Sequence, residues 1–176
     1  MTGLPQLIEE DVVALDAAVD DLLRRSEADA ALVIDKGGPL ISQRGAADKF
    51  DATTVAALAA GAFSATDMMA RHLGETSLSH IYQQGREVSL LISNVDDNLL
   101  LVVVFPAETG VGAVKYYATD AVARIAAQME KAAQRGPGAS LDLVSLNTLD
   151  VAPVFRKREG PAGIQREAQR SDGVVE

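Results

Sequence analysis

The chain has 176 residues with 16 Lys and Arg against 25 Asp and Glu, a formal net charge of −9. A length near the mode for one domain predicts a single globular unit with an appendage, and the acidic balance argues against a nucleic-acid binder or a protein docked on anionic lipid. Cysteine and tryptophan are absent and only His72 and His80 supply imidazole, which removes disulfides, thiolate metal sites and cysteine nucleophiles and makes a metalloenzyme improbable.

The first 15 residues hold Glu9, Glu10 and Asp11 and no Lys or Arg, the opposite of a signal-peptide n-region. The longest apolar run, Leu99 to Pro106, is far too short to span a bilayer. The expectation is a soluble, cytoplasmic protein.

Residues 7–27 carry Leu7, Ile8, Val12, Leu15, Val19, Leu22 and Leu23 at helical spacing, which predicts a first amphipathic helix. Its other face holds Glu9, Glu10, Asp16, Asp20 and Asp21; such a charge pattern is that of a solvated face, with an acidic partner surface as the alternative. Ala30 to Asp35 and Pro39 to Gln43, joined through Lys36-Gly37-Gly38, read as a hairpin. Residues 52–74 form a second helix, capped by Asp51 or Thr53 and closed by Gly74. Ser77 to Gln83 reads as a strand. Glu87 to Val95 and Leu99 to Phe105 form a second hairpin across Asp96-Asp97-Asn98. A last helix over 111–135 places Val114, Tyr117, Val122, Ile125, Ala126 and Met129 on one stripe, and Gly136-Pro137-Gly138 stops it. Residues 1–135 are thus expected to be the domain and 136–176 an extended or disordered tail.

The order is α-β-β-α-β-β-β-α. The run Leu99-Leu100-Leu101-Val102-Val103-Val104-Phe105 is apolar at both parities, so helices must cover both faces of the sheet. The simplest arrangement sets the first and third helices on one side and the second on the other.

No catalytic constellation is visible. Gly110-Val111-Gly112 lacks the Lys-Ser/Thr of a phosphate loop and reads as a flexible turn into the last helix. Neither histidine has a second at ligand spacing, and Asp96 with Asp97 is a turn preference. No metal and no cofactor is expected, and the chain reads as a protein that binds.

The second helix is the unusual element. On a helical wheel Val55, Leu58, Ala59, Ala62, Met69 and Leu73 share one side, predicted to face the sheet. Ala57, Ala60, Gly61, Ser64, Met68 and Arg71 fall opposite. No charge occurs from Thr53 to Thr66, where a solvated face would carry several. A flat, weakly polar surface of this kind is one that another backbone covers; the alternative is a free helix rich in Ala because Ala forms helices well.

The stretch from Ala30 through Asp35-Lys36-Gly37-Gly38 to Ser42, the segment Asp51 to Glu75 ending Leu73-Gly74-Glu75, and Val88 to Phe105 resemble the roadblock / dynein light chain family, and within it the bacterial regulators of Ras-like small GTPases. The resemblance covers about residues 5–135. It implies a three-layer α/β/α roadblock-type fold with a central antiparallel five-stranded sheet, homodimerisation, and no nucleotide pocket. It further implies that the two second helices lie side by side, with Phe63, Leu78, His80 and Tyr82 at the dimer interface. One GTPase would then bind across the paired helices through Ala57, Ala60, Gly61, Ser64 and Met68, with Arg71 at the rim. Met68 stands where a smaller residue would leave the platform flatter. Hydrolysis would be promoted without an arginine finger, in cell polarity or motility; a non-catalytic scaffold is the alternative, and an enzyme or small-ligand sensor the reading from another class. Val151 to Arg158, with Val154, Phe155, Arg156, Lys157 and Arg158, is a candidate docking peptide or a solvated linker.

Overall fold

The structure is a computed structural model that describes residues 5–46 and 49–135. Helix α1 (Glu9–Ser26) is followed by strands β1 (Ala30–Asp35) and β2 (Leu40–Gly45), helix α2 (Ala52–His72), strands β3 (His80–Gln83), β4 (Val88–Asn94) and β5 (Leu99–Pro106), and helix α3 (Val111–Gln134). The expected order stands, with trimmed ends. The second strand begins after Pro39 and reaches Gly45, because proline cannot donate to the ladder. The third begins only at His80; Leu78 and Ser79 approach it outside regular strand geometry.

The sheet order is β2-β1-β5-β4-β3, antiparallel throughout. β5 is central and Leu99 to Phe105 are buried on both sides. Alternation divides the core. Ala31, Val33, Leu91, Leu101, Val103 and Phe105 pack against Leu15, Val19, Leu22, Val114, Ile125 and Met129 of α1 and α3. Ala30, Leu32, Ile34, Ile92, Leu100, Val102 and Val104 pack against α2. This is the three-layer arrangement that the doubly apolar β5 demands.

Two contacts bind the α1–α3 layer beyond hydrophobic burial. Asp11, fully buried, closes the first turn of α1: the Ile8 N–H donates to its Oδ2 at 2.9 Å, as an acidic residue at the third helical position does in a capping box. The same carboxylate accepts from Gln128 Nε2 at 2.7 Å and from the Arg135 guanidinium, so the start of α1 is pinned to the end of α3. At the other end Asp21 pairs with Arg24 and Arg25 on its own helix and with Arg124 on α3, and the Arg25 guanidinium lies 4.6 Å from the Tyr117 ring centroid. Val12, expected in the apolar stripe of the first helix, is exposed, and Asp11 takes the inward position beside it.

The two sheet edges differ. β2 is bulged between the partners of Val33 and Ile34, and its Arg44 bonds Asp20 of α1 at 2.6 and 2.8 Å. A bulge and a charged residue are ordinary guards against strand addition. β3, four residues long, has neither. Ser79 O accepts from Asn94 N at 2.9 Å, which makes 79 and 94 a hydrogen-bonded pair. By the antiparallel rule the pairs His80–Ser93 and Tyr82–Leu91 are then non-bonded, so the N–H and C=O of His80 and Tyr82 point to the open side.

Candidate functional site

α2 starts where Asp51 accepts from the Thr53 and Thr54 amides at 3.1 and 3.2 Å, an N-cap that satisfies two of the four free amides of the helix start. It ends at Gly74, whose φ of +91° reverses the chain. Between these caps the helix packs on the sheet through Ala52, Ala56, Ala59, Ala60 and Phe63. The wheel drawn from hydrophobicity alone is therefore turned. Leu58, Met69 and Leu73, expected to face the sheet, are 68%, 58% and 82% exposed, and Ala62 is exposed with them. Ala60, expected outside, is buried. The cause is steric: small side chains under the helix let its axis sit close to the flat branched surface of Leu32, Leu100 and Val102, and larger ones there would force it away.

The outer surface consequently has two stripes. One runs Ala57, Gly61, Ser64 and Met68, all exposed, with Arg71 at its end. The other runs Leu58, Ala62, Ala65, Met69 and Leu73 at i, i+4, i+7, i+11 and i+15, a spacing that keeps side chains on one helix face. Ala57, Gly61, Ser64, Met68 and Arg71 lie where the sequence pattern placed them; Ala60 drops out of any accessible surface. At Gly61 an added Cβ would meet nothing within 4 Å, so the helix surface there is open.

The dimer candidates are scattered. Phe63 is buried beneath α2, with Lys36 Nζ 5.6 Å from its ring centroid, a cation–π contact inside one subunit. It is core, not seam. Leu78 is half-buried against the α2 side of the sheet. His80 and Tyr82 lie on the α3 side: His80 Nδ1 is 3.1 Å from Ser93 Oγ, and Tyr82 stacks with Phe105 at 6.2 Å between centroids. Tyr82 is exposed at the rim. Val154, Phe155, Arg156, Lys157 and Arg158 lie outside the described residues.

Charge near the platform is held locally. Arg71 Nε donates to Asp67 Oδ2 at 2.8 Å. That bond, with the Leu78 amide and the nearby Lys36, holds the Asp67 carboxyl below the usual carboxylate range. The Asp35-Lys36-Gly37-Gly38 turn abuts the same helix. Asp35 Oδ1 accepts from Gly37 N at 2.6 Å, and Asp35 O from Gly38 N at 2.8 Å. Gly38 has φ +112°, and a Cβ on it would lie 3.5 Å from the Ala57 Cα. The space is tolerable but the conformation is not, so Gly38→Ala is expected to cost about 1–3 kcal/mol. Chemical denaturation should show it as a lower midpoint at unchanged slope.

Among the described residues no group of three or more His, Asp or Glu could hold a metal ion, and no helix is long and apolar enough to cross a membrane. The described residues build three layers, with an outer helix that carries no charge from Thr53 to Thr66 and one unguarded sheet edge. The family model of the Roadblock/LC7 domain matches residues 15–105, and the chain belongs to that family. Among solved structures it is similar to MglB of Myxococcus xanthus, with 28% identity, a TM-score of 0.68, and coverage of 72% of this chain and 96% of that one. The gliding protein MglB of Thermus thermophilus matches with 26% identity and a TM-score of 0.67 over 74% of this chain and 99% of that one. An MglB with tetrameric arrangement matches with 26% identity and a TM-score of 0.68 over 75% and 99%. A search of the curated proteins finds no match.

Proposed function

We propose that this chain is a homodimeric, cytoplasmic regulator of a Ras-like small GTPase of the MglA type, which it binds and whose GTP hydrolysis it promotes, in cell polarity or motility. The observation that carries this reading is the outer face of α2, uncharged from Thr53 to Thr66 and bordered by an open sheet edge, in a chain similar to MglB over nearly all of MglB's length. The division of labour follows from the two stripes. The larger apolar residues Leu58, Met69 and Leu73 fit the seam with the twin helix, where burial of apolar area supplies the free energy. The small residues Ala57, Gly61 and Ser64, with Met68, fit a partner whose backbone must come close. β3 continues the seam by strand addition, through the outward amides of His80 and Tyr82.

The single arginine of α2, Arg71, is engaged by Asp67. As in the GTPase regulators that the chain resembles, stimulation is expected to come from positioning the GTPase's own groups rather than from an inserted arginine. One experiment tests the reading. Sedimentation at micromolar concentration should give a mass near twice 18.5 kDa, and phosphate release by a purified MglA-type GTPase should rise on adding the protein. Co-elution with unchanged hydrolysis would leave a non-catalytic scaffold. A monomer that leaves the GTPase alone would end the proposal.

A further inference from the structure

His80 is the first residue of the open edge strand, at the end away from the β3–β4 turn. Its ring lies on the α3 side of the sheet, half-buried, with Nδ1 at 3.1 Å from the hydroxyl of Ser93, itself fully buried. Among the described residues the surroundings offer no counter-charge. β4 from Val88 to Asn94 carries no ionisable side chain. Lys115 is the charged residue of the first two turns of α3, and Tyr82 is the titratable neighbour on β3 itself. Arg86 and Glu87 belong to the far end of the hairpin. Burial, and then the positive charge of Lys115, holds the His80 imidazole below the usual histidine range.

The ladder also fixes how a second copy would meet this edge. The backbone groups of His80 and Tyr82 point outward and those of Ile81 do not. A two-fold axis at Ile81 lets both outward residues of each four-residue strand bond, and any other centre leaves one of them beyond the pairing. That register seats His80 beside Tyr82 of the partner subunit on the α3 side of the joined sheet, twice per dimer.

We infer that His80 makes the pairing of β3 with a second copy of this chain responsive to acid: the neutral ring lets the edges close, and the protonated ring opposes closure. The inference rests on the dimer reading above. Closure strips remaining water from an imidazole whose charged neighbour is a lysine, so the dimer holds the proton less well than the monomer does. The species that binds fewer protons gives way as pH falls.

Sedimentation velocity over a dilution series at pH 8 and at about pH 5.5 tests this on the full chain, because histidine is the side chain that ordinarily titrates in that window. The dimer dissociation constant of the unaltered chain should rise several-fold, up to about tenfold, on acidification. His80→Gln keeps a neutral partner for Ser93 and should lose most of that dependence, whereas His72→Gln should keep it. A dissociation constant unchanged with pH overturns the inference and leaves the dimer standing, as does equal loosening in the His80→Gln chain. A monomer at pH 8 overturns the dimer reading and the inference together. Should His80→Gln fail to fold by circular dichroism, the imidazole resonance of the unaltered chain decides. Its titration midpoint must lie lower at concentrations where the chain is dimeric than after dilution, and equal midpoints sink the idea.

Discussion

Replacing Asp11 with alanine is expected to lower stability by about 3 kcal/mol, a large part of the roughly 5–15 kcal/mol that a domain of this size commands. Asp11 is fully buried and answers three donors at once: the Ile8 amide, Gln128 and Arg135. Its removal leaves a partly buried guanidinium and the partly buried amides of Ile8 and Gln128 without their acceptor, and breaking such a pair costs more than the pair contributes over an apolar substitute. Thermal melting of Asp11→Ala should fall by roughly 10 °C, while Asp11→Asn, which keeps an acceptor for Ile8, should fall less. The pH dependence has a definite sign. Burial pushes the Asp11 carboxyl up, and Arg135, the Ile8 amide and Gln128 together pull it further down, so it is held below the usual carboxylate value of 3.8. Its contribution is therefore present above that value and is lost as pH falls through the lower, folded-state value. The unaltered chain should lose stability there more steeply than Asp11→Ala does. Equal acid profiles would show that the carboxylate is not what joins α1 to α3.

The second large effect is expected on function. Ser64 and Met68 are exposed and one turn apart on the small-residue stripe of α2. Ser64→Arg with Met68→Asp adds bulk and charge to a surface proposed to be covered by the GTPase. Substitutions at exposed positions usually shift stability by less than about 0.5 kcal/mol, whereas covering two bulky ions at an interface costs several kcal/mol of desolvation even when, one turn apart, they pair with each other. The double variant should melt within a few degrees of the parent, stay dimeric, and lose measurable stimulation of hydrolysis. The parallel variant Leu58→Asp with Met69→Asp lies on the other stripe and should instead lower the mass. A folded, dimeric Ser64→Arg, Met68→Asp chain that stimulates at the parent rate would move the docking surface elsewhere. If that pair lost the dimer, the two stripes would exchange roles.

How much of this is legible in the residues differs from element to element. β5 announces a sheet covered on both faces, because seven apolar residues in succession cannot sit half in water, and the three layers follow from it. Strand and helix ends shift by a few residues where backbone geometry decides, as at Pro39 and His80. The rotation of α2 is not legible. Hydrophobicity ranks Leu58 and Met69 above Ala56 and Ala60, but the sheet selects for close approach, and size decides the packed side. Phe63 departs from that rule of size: the family resemblance puts it at the dimer interface, and it is the largest side chain anchoring the helix to its own sheet. Asp11 is easily passed over, because an acid at the head of a helix is ordinarily a solvated one. A signal exists in its position three residues after Ile8, though its partners Gln128 and Arg135 lie more than a hundred residues away. The shortness of β3 is not legible, since the sequence predicts Ser77 to Gln83 and the structure keeps His80–Gln83, and which of its amides are open requires the register.

The central place of β5 also governs the order in which the chain can assemble. β1 has no neighbour on its inner side until β5 exists, since Ala30 pairs with Val104 and Asp35 with Leu99, about 70 residues downstream. During synthesis α1, β1 and β2 leave the ribosome as a hairpin with a helix, exposing Ala30, Leu32 and Ile34 on one side and Ala31 and Val33 on the other. The β4–β5 hairpin, closed by Asp96 across Asn98 and Leu99, is the local contact that can form as soon as it is made. The insertion of β5 between β1 and β4 is then a long-range event, of the kind that slows folding and leaves apolar strands unprotected meanwhile. A nascent chain halted before Leu99 would present two unfinished sheet faces until β5 is made and inserted.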